Sequence, residues 1–282
     1  MFRTESYFRT LTSPPPPRSS PLYTSIPLSF YPSIHLSLYP SIPLSLYIFH
    51  LALCLLLNYT KKGMKYVIGN WKAYKSFSEV QEWLNTFTAH DLASIPQSLK
   101  VILCPPAPFL HMCAEKLHQY NISIGSQDIS QFEIGPVTGE VTGTQLDGLA
   151  EYVIIGHSER RQYFHENDEV LSAKVRSALH HGLKVIFCID GASDFIPEGV
   201  TMVVYEPIDA IGTGRNATVD SVMQMKSQLT HLPHCLYIYG GSVDSSNVTM
   251  YMQHDSIDGV LPGTAALNPQ EFYELIQESL VS

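Results

Sequence analysis

Residues 65–70 read KYVIGN, a short apolar run that ends on a polar side chain, and the pattern recurs along the chain. KVILCP (100–105), ISIGSQ (122–127), EYVIIG (151–156), KVIFCI (184–189), MVVYEP (202–207), LYIYGG (236–241) and IDGVLP (257–262) repeat it. These runs are rich in β-branched residues and mostly apolar at consecutive rather than alternate positions. That is the pattern of strands covered on both faces, as in a parallel sheet.

Helical patterns lie between them. Val80, Trp83, Leu84 and Phe87 follow i, i+3, i+4, i+7 spacing, and Val170, Leu171, Val175 and Leu179 form a second stripe that stops at Gly182, a C-terminal cap. Asn268, Pro269 and Glu271 supply an N-cap, a first-turn proline and a capping-box partner ahead of Phe272, Leu275 and Ile276. Eight strand and helix alternations predict a (β/α)8 barrel over residues 64–282, with an open doubly wound sheet as the alternative. Only Asp190–Gly199 separates the fifth strand from the sixth, so that crossover is shortened to a turn or two of helix at most.

Residues 1–63 have a different texture. Ser25–Tyr47 runs SIPLSFYP, SIHLSLYP, SIPLSLY, in which regular Pro and Ser interrupt both helical and strand patterns. Leu44–Leu57 is a 14-residue apolar run, short of the roughly 20 residues that span a bilayer. No small-residue cleavage site follows it. The segment reads as a disordered low-complexity leader, or as sequence upstream of a start at Met64, with a weak membrane anchor as the alternative. It carries a net +4, which leaves −13 on the other 219 residues. An acidic body offers no general attraction to nucleic acid or to an anionic membrane, so a bound anion has to be held by local groups.

The polar residues at the strand ends supply such groups. They are Asn70 and Lys72 after the first strand, His157, Ser158 and Glu159 after the fourth, Glu206 after the sixth, Gly240, Gly241 and Ser242 after the seventh, and Gly263 and Thr264 after the eighth. In a barrel of this type the chemistry sits at the C-terminal ends of the strands. A carboxylate, an imidazole, an ammonium and several turns able to present backbone N–H groups therefore face one mouth.

GNWK at Gly69–Lys72, TGE at Thr138–Glu140, IIGHSERR at Ile154–Arg161, YEP with AIGTG at Tyr205–Gly214, and YGGSV at Tyr239–Val243 together resemble the triosephosphate isomerase family, in the family's order and over nearly all of residues 64–282. The resemblance implies a (β/α)8 TIM barrel that interconverts dihydroxyacetone phosphate and D-glyceraldehyde 3-phosphate without cofactor or metal. It implies Glu206 as the base, His157 as the group that hydrogen-bonds the carbonyl and enediolate oxygens, Lys72 as fixed positive charge and Asn70 as a neutral donor. The imidazole is then kept neutral by the N-terminus of the helix that follows it, an arrangement for which this family is itself the reference case. Gly212, Ser242, Gly263 and Thr264 correspond to phosphate-binding positions, Glu159 and Ser158 to supporting ones, and the run after Pro207 to a lid. A salt bridge from Glu159 to a nearby arginine is the alternative for that residue. The loop around Thr138 corresponds to one that supports a neighbouring subunit's site, so a homodimer is implied.

Three departures stand out. The family's tryptophan before AIGTG is Asp209, its last pair of glycines is Gly263 and Thr264, and its CIGE after strand five is CIDG at Cys188–Gly191, which removes a carboxylate that would support the arginine near Glu159. A phospho-metabolite-binding barrel whose lid fails to close is therefore an alternative function. A form tethered through Leu44–Leu57 is another. Five cysteines without C-x-x-C spacing fit reduced thiols and a cytoplasmic location. The sequon Asn216–Thr218 on the lid points the same way, because a glycan there would obstruct closure. His231 and His234 lack the partners of a metal site.

Overall fold

The computed structural model describes residues 63–207 and 216–280. Eight strands follow one another, β1 (Lys65–Asn70), β2 (Leu99–Cys104), β3 (Ile122–Ser126), β4 (Tyr152–Ile155), β5 (Lys184–Ile189), β6 (Met202–Tyr205), β7 (Leu236–Tyr239) and β8 (Gly259–Val260). Each pairs in parallel with its chain neighbours, and β8 pairs back onto β1 to close a barrel. The eight apolar runs thus all become strands, with ends that shift by two residues or fewer, the last run being trimmed by two at each end. The proposed anchor Leu44–Leu57, Asp209 and Gly212 lie outside the described residues.

The helices are α1 (Phe77–Phe87), α2 (Leu110–Leu117), α3 (Gly143–Leu146), α4 (Ser158–Phe164), α5 (Asp168–His180), α6 (Val219–Gln228), α7 (Val248–Met252) and α8 (Pro269–Glu278). Strand side chains alternate between two buried clusters. One consists of strand residues and the strand-end Leu261, including Ile68, Ile102, Ile154, Ile186, Val204 and Ile238, and it fills the barrel. The other joins Val67, Val101, Val153, Phe187 and Val203 to helix residues such as Trp83, Leu171 and Phe272, so it is the layer between strands and helices. Burial on both faces is the physical reason that the strands read as continuous apolar runs.

Val80, Trp83, Leu84 and Phe87 of α1 are all buried, as their spacing predicts, and Ser76 caps that helix in a capping box with Glu79. The stripe on α5 is rotated from the expected one. Leu171 and Val175 are buried with Lys174, Ser177 and Ala178, whereas Leu179 is 42% exposed. Gly182 does end the helix, with φ +72°. Asn268 caps α8 by accepting from the N–H groups of Gln270 and Glu271, but the Glu271 carboxylate turns away from a capping box to accept from the Ser245 N–H and hydroxyl.

The crossover from β5 to β6, residues 190–201, contains no helix. The Asp194 carboxylate accepts from the N–H groups of Asp190 at 2.8 Å and Gly191 at 3.4 Å, folding the chain into a turn. Ala192 and Ile196 then pack on the outer cluster where a helix would otherwise lie. A dozen residues is about the minimum for a parallel crossover, so the turn spans the gap with little to spare.

A buried ion network braces the barrel between β3 and α5. The Lys174 ammonium, 4% exposed, lies 2.6 Å from Asp128 Oδ1 and 2.6 Å from Glu166 Oε1, and Arg160 reaches the same two carboxylates at 2.8 and 2.6 Å. Burial pushes the Asp128 carboxyl upward, against the pull of Lys174 and Arg160. Removing one buried partner leaves the others uncompensated. Lys174→Met is expected to destabilise the chain by about 3 kcal/mol, read in urea unfolding as a lower midpoint with an unchanged slope.

Candidate active site

The backbone N–H of Glu206 donates to the Ile189 carbonyl at 2.8 Å, extending the β5–β6 pairing by one residue and fixing where the side chain leaves the barrel rim. That side chain is almost fully buried. Its Oε1 lies 3.3 Å from His157 Nε2, and the Ser158 N–H donates to its Oε2 over a long 3.4 Å. Beneath it, burial and then the Glu206 carboxylate push the Cys188 thiol well above the usual thiol range.

His157 is the N-cap of α4, and its Nδ1 accepts from the Glu159 N–H at 3.2 Å. An accepting Nδ1 carries a lone pair, so the ring proton sits on Nε2, facing Glu206, and the imidazole is neutral. The Glu159 carboxylate 3.7 Å from Nδ1 is therefore not an ion-pair partner of this ring. It pairs instead with Lys72, whose Nζ lies 2.6 Å from Glu159 Oε1. The expected alternative, a bridge from Glu159 to an arginine, does not form among the described residues.

Lys72 adopts φ +51°, in the left-handed region. For a residue with a Cβ this costs about 1–2 kcal/mol. Asn70 supports the turn by accepting the Lys72 N–H on its Oδ1 at 2.9 Å. Arg161, with no carboxylate at Gly191, directs its guanidinium at backbone carbonyls, those of Gly156 at 2.8 Å and Cys188 at 3.0 Å. Asp190 faces the same guanidinium, but burial and the neighbouring Asp194 raise its carboxyl against that attraction.

Lys72, His157 and Glu206 line a cleft of about 860 Å³. Its opposite wall is made by Gly240, Gly241 and Ser242 after β7 and by Gly263 and Thr264 after β8. Gly263 caps a 3-10 turn over Thr264–Leu267, the kind of chain end whose first N–H groups have no acceptor of their own. Asn216 also lines the cleft. Lys72, Gly263 and Thr264 border a second pocket of about 810 Å³ that Asn70, Ser158 and Glu159 line on its other side. Asn70 is thus beside Lys72 but on the second pocket. Thr138 lies on an exposed loop apart from both, and Gly212 is outside the described residues.

The family model for triosephosphate isomerase matches residues 65–279. The chain belongs to the triosephosphate isomerase family. It is 36% identical over 240 residues to the triosephosphate isomerase of Nostoc punctiforme, an alignment covering 76% of this chain and 98% of that one. It is 30% identical over 244 residues to that of Aquifex aeolicus, covering 75% and 98%. Among solved structures, the triosephosphate isomerase of Bartonella henselae superposes with a TM-score of 0.64 at 23% identity, over 78% of this chain and all of that one, which fixes the barrel fold.

Membership of the triosephosphate isomerase family leaves three polar side chains that the strand-end reading passed over. Tyr239 accepts the Ala217 N–H on its hydroxyl at 2.8 Å, while the Tyr251 hydroxyl donates to the Ala217 carbonyl at 2.7 Å. Gln127, the last residue of the ISIGSQ run, donates to the carbonyls of Lys72 and Cys104. Its place directly after a strand was the available signal. Gly240 has a steric reason, since a Cβ there would stand 2.6 Å from Val204 Cγ1 and 3.0 Å from Glu206 Cγ. Gly240→Ala is expected to cost about 1–3 kcal/mol through overpacking and to displace Glu206, read as a lower melting temperature together with a lost hydrogen bond in the variant's crystal structure.

Proposed function

We propose that the chain interconverts dihydroxyacetone phosphate and D-glyceraldehyde 3-phosphate by proton transfer through an enediolate, a step of glycolysis and gluconeogenesis. The observation that carries the reading is the Glu206 carboxylate set 3.3 Å from the Nε2–H of a neutral His157 at the rim of the cleft. Glu206 is the base that moves the proton between adjacent carbons, and its burial strips away the water that would stabilise its charge. His157 donates its Nε2 proton to the substrate oxygen on which negative charge develops. Lys72 supplies the fixed positive charge, and Asn70, whose Oδ1 is taken by the Lys72 N–H, offers its NH2. Ser242, Gly263 and Thr264 hold the phosphate through backbone N–H groups, with Gly212 added from the lid. Ser158 and Glu159 hold Glu206 and Lys72 in place.

Two further inferences belong to this reading. The chain acts as a homodimer through the loop around Thr138–Glu140, supported by the exposure on that loop of Phe132 at 48% and Ile134 at 74%. It works in the cytoplasm, in keeping with the free thiols of Cys104, Cys113, Cys188 and Cys235 among the described residues.

A coupled isomerase assay on the full chain is expected to give turnover that Glu206→Gln lowers by roughly a thousandfold. No turnover in the wild type, with inorganic phosphate still bound, would replace the isomerase with a phospho-metabolite-binding barrel. Ile134→Glu is expected to shift the chain from dimer to monomer in sedimentation velocity, and a monomeric wild type would remove the dimer.

A further inference from the structure

Left-handed backbone at a lysine persists only where its surroundings over-determine it. At Lys72 two side chains grip the peptide from both sides. Asn70 Oδ1 accepts its N–H at 2.9 Å, and Gln127 Nε2 donates to its carbonyl at 2.8 Å. The same Nε2 donates to the carbonyl of Cys104, the last residue of β2, at 2.9 Å. Both neighbours are carbonyl oxygens, which only accept, so the orientation of the Gln127 amide follows from its surroundings.

We propose that Gln127 is a positioning residue for Lys72. By bridging the Lys72 and Cys104 carbonyls, it ties the left-handed turn after β1 to the rim of β2 and sets the direction in which the lysine arm leaves the backbone. Lysine has a long, flexible arm, and its ammonium has to stand at the border of two pockets, 2.6 Å from Glu159. A carbonyl anchored at the root of the arm limits where the charge can be. Gln127 belongs to neither apolar cluster, and its amide reaches toward the turn that carries Lys72. The proposal rests on the reading of Lys72 as the cation of the site.

The test is a double-mutant cycle on the full chain with Gln127→Met, which keeps the length but removes the donor, Lys72→Met, and the pair together. Each protein is measured for turnover of dihydroxyacetone phosphate and for its Kd for inorganic phosphate. Gln127→Met alone is expected to lower turnover and weaken phosphate binding about tenfold, and to add nothing once Lys72 is methionine. Equal losses in both backgrounds would overturn the proposal and make Gln127 a plain tie between strands. A wild type that binds phosphate without turnover would overturn the isomerase reading alone, since the phosphate cycle still decides the role of Gln127. A wild type that does neither would overturn both.

Gln127→Glu supplies a second check if the methionine variant fails to fold. An ionised carboxylate has no proton to give to two carbonyls, and a protonated one donates a single hydrogen bond. Its turnover relative to wild type is therefore expected to rise as pH falls, whereas a ratio flat in pH would overturn the positioning role.

Discussion

The closure of β8 against β1 is the constraint on which the rest depends. β8 has only two residues, and it joins the barrel because Gly259 has no side chain. A Cβ there would lie 2.3 Å from the Tyr66 carbonyl oxygen. That approach lets Tyr66 donate its N–H to the Asp258 carbonyl and lets Asn70 donate to that of Pro262. The second bond sets Asn70 and Lys72 beside Gly263 and Thr264, bringing together two ends of the barrel almost 200 residues apart in sequence. An open sheet would leave the lysine and the glycine turn on opposite edges. The candidate site is therefore a product of closure, not of any single segment.

Closure also explains how an acidic chain can hold an anion. The barrel brings one ammonium and several turn N–H groups to a rim where low-dielectric walls strengthen each of them. Net charge is summed over the whole surface, whereas the field in a cleft is set by the few groups that line it.

The fold was legible because burial on both faces of a parallel strand leaves an unmistakable mark, and all eight runs carry it. Helix faces were less so. The α5 stripe was misplaced around Leu179 because Lys174 occupies part of the buried face, held there by Asp128 and Glu166, and periodicity counts only apolar residues. Glu271 was misassigned for a similar reason, since its partner Ser245 is distant in sequence. At the candidate site, strand-end position pointed to Glu206, His157, Lys72 and Asn70, of which Lys72, His157 and Glu206 line one cleft. Gln127 was passed over although it directly follows β3, because its bonds go to two backbone carbonyls that no side-chain pattern records.

The shortened β5–β6 crossover shows what such a barrel can lose. Without a helix, Asp194 ties the turn and Ile196 covers the sheet, while Arg161 takes backbone carbonyls in place of a carboxylate. Those substitutions are neutral acceptors for a charged donor, a weaker kind of bond than an ion pair. Yet the backbone bond from Glu206 to Ile189 is unaffected, because it depends on the strand ends and not on the path between them. Lys72 and the proposed base Glu206 are each held in the structure by partners from another strand end, Glu159 for the first and His157 for the second. On the proposed reading, a phosphorylated substrate entering the cleft would exchange some of these internal partners for its own oxygens. Part of its binding energy would then go into rearranging charge at the reacting centre, which favours the enediolate over the ground state when the exchanged bonds strengthen as charge develops.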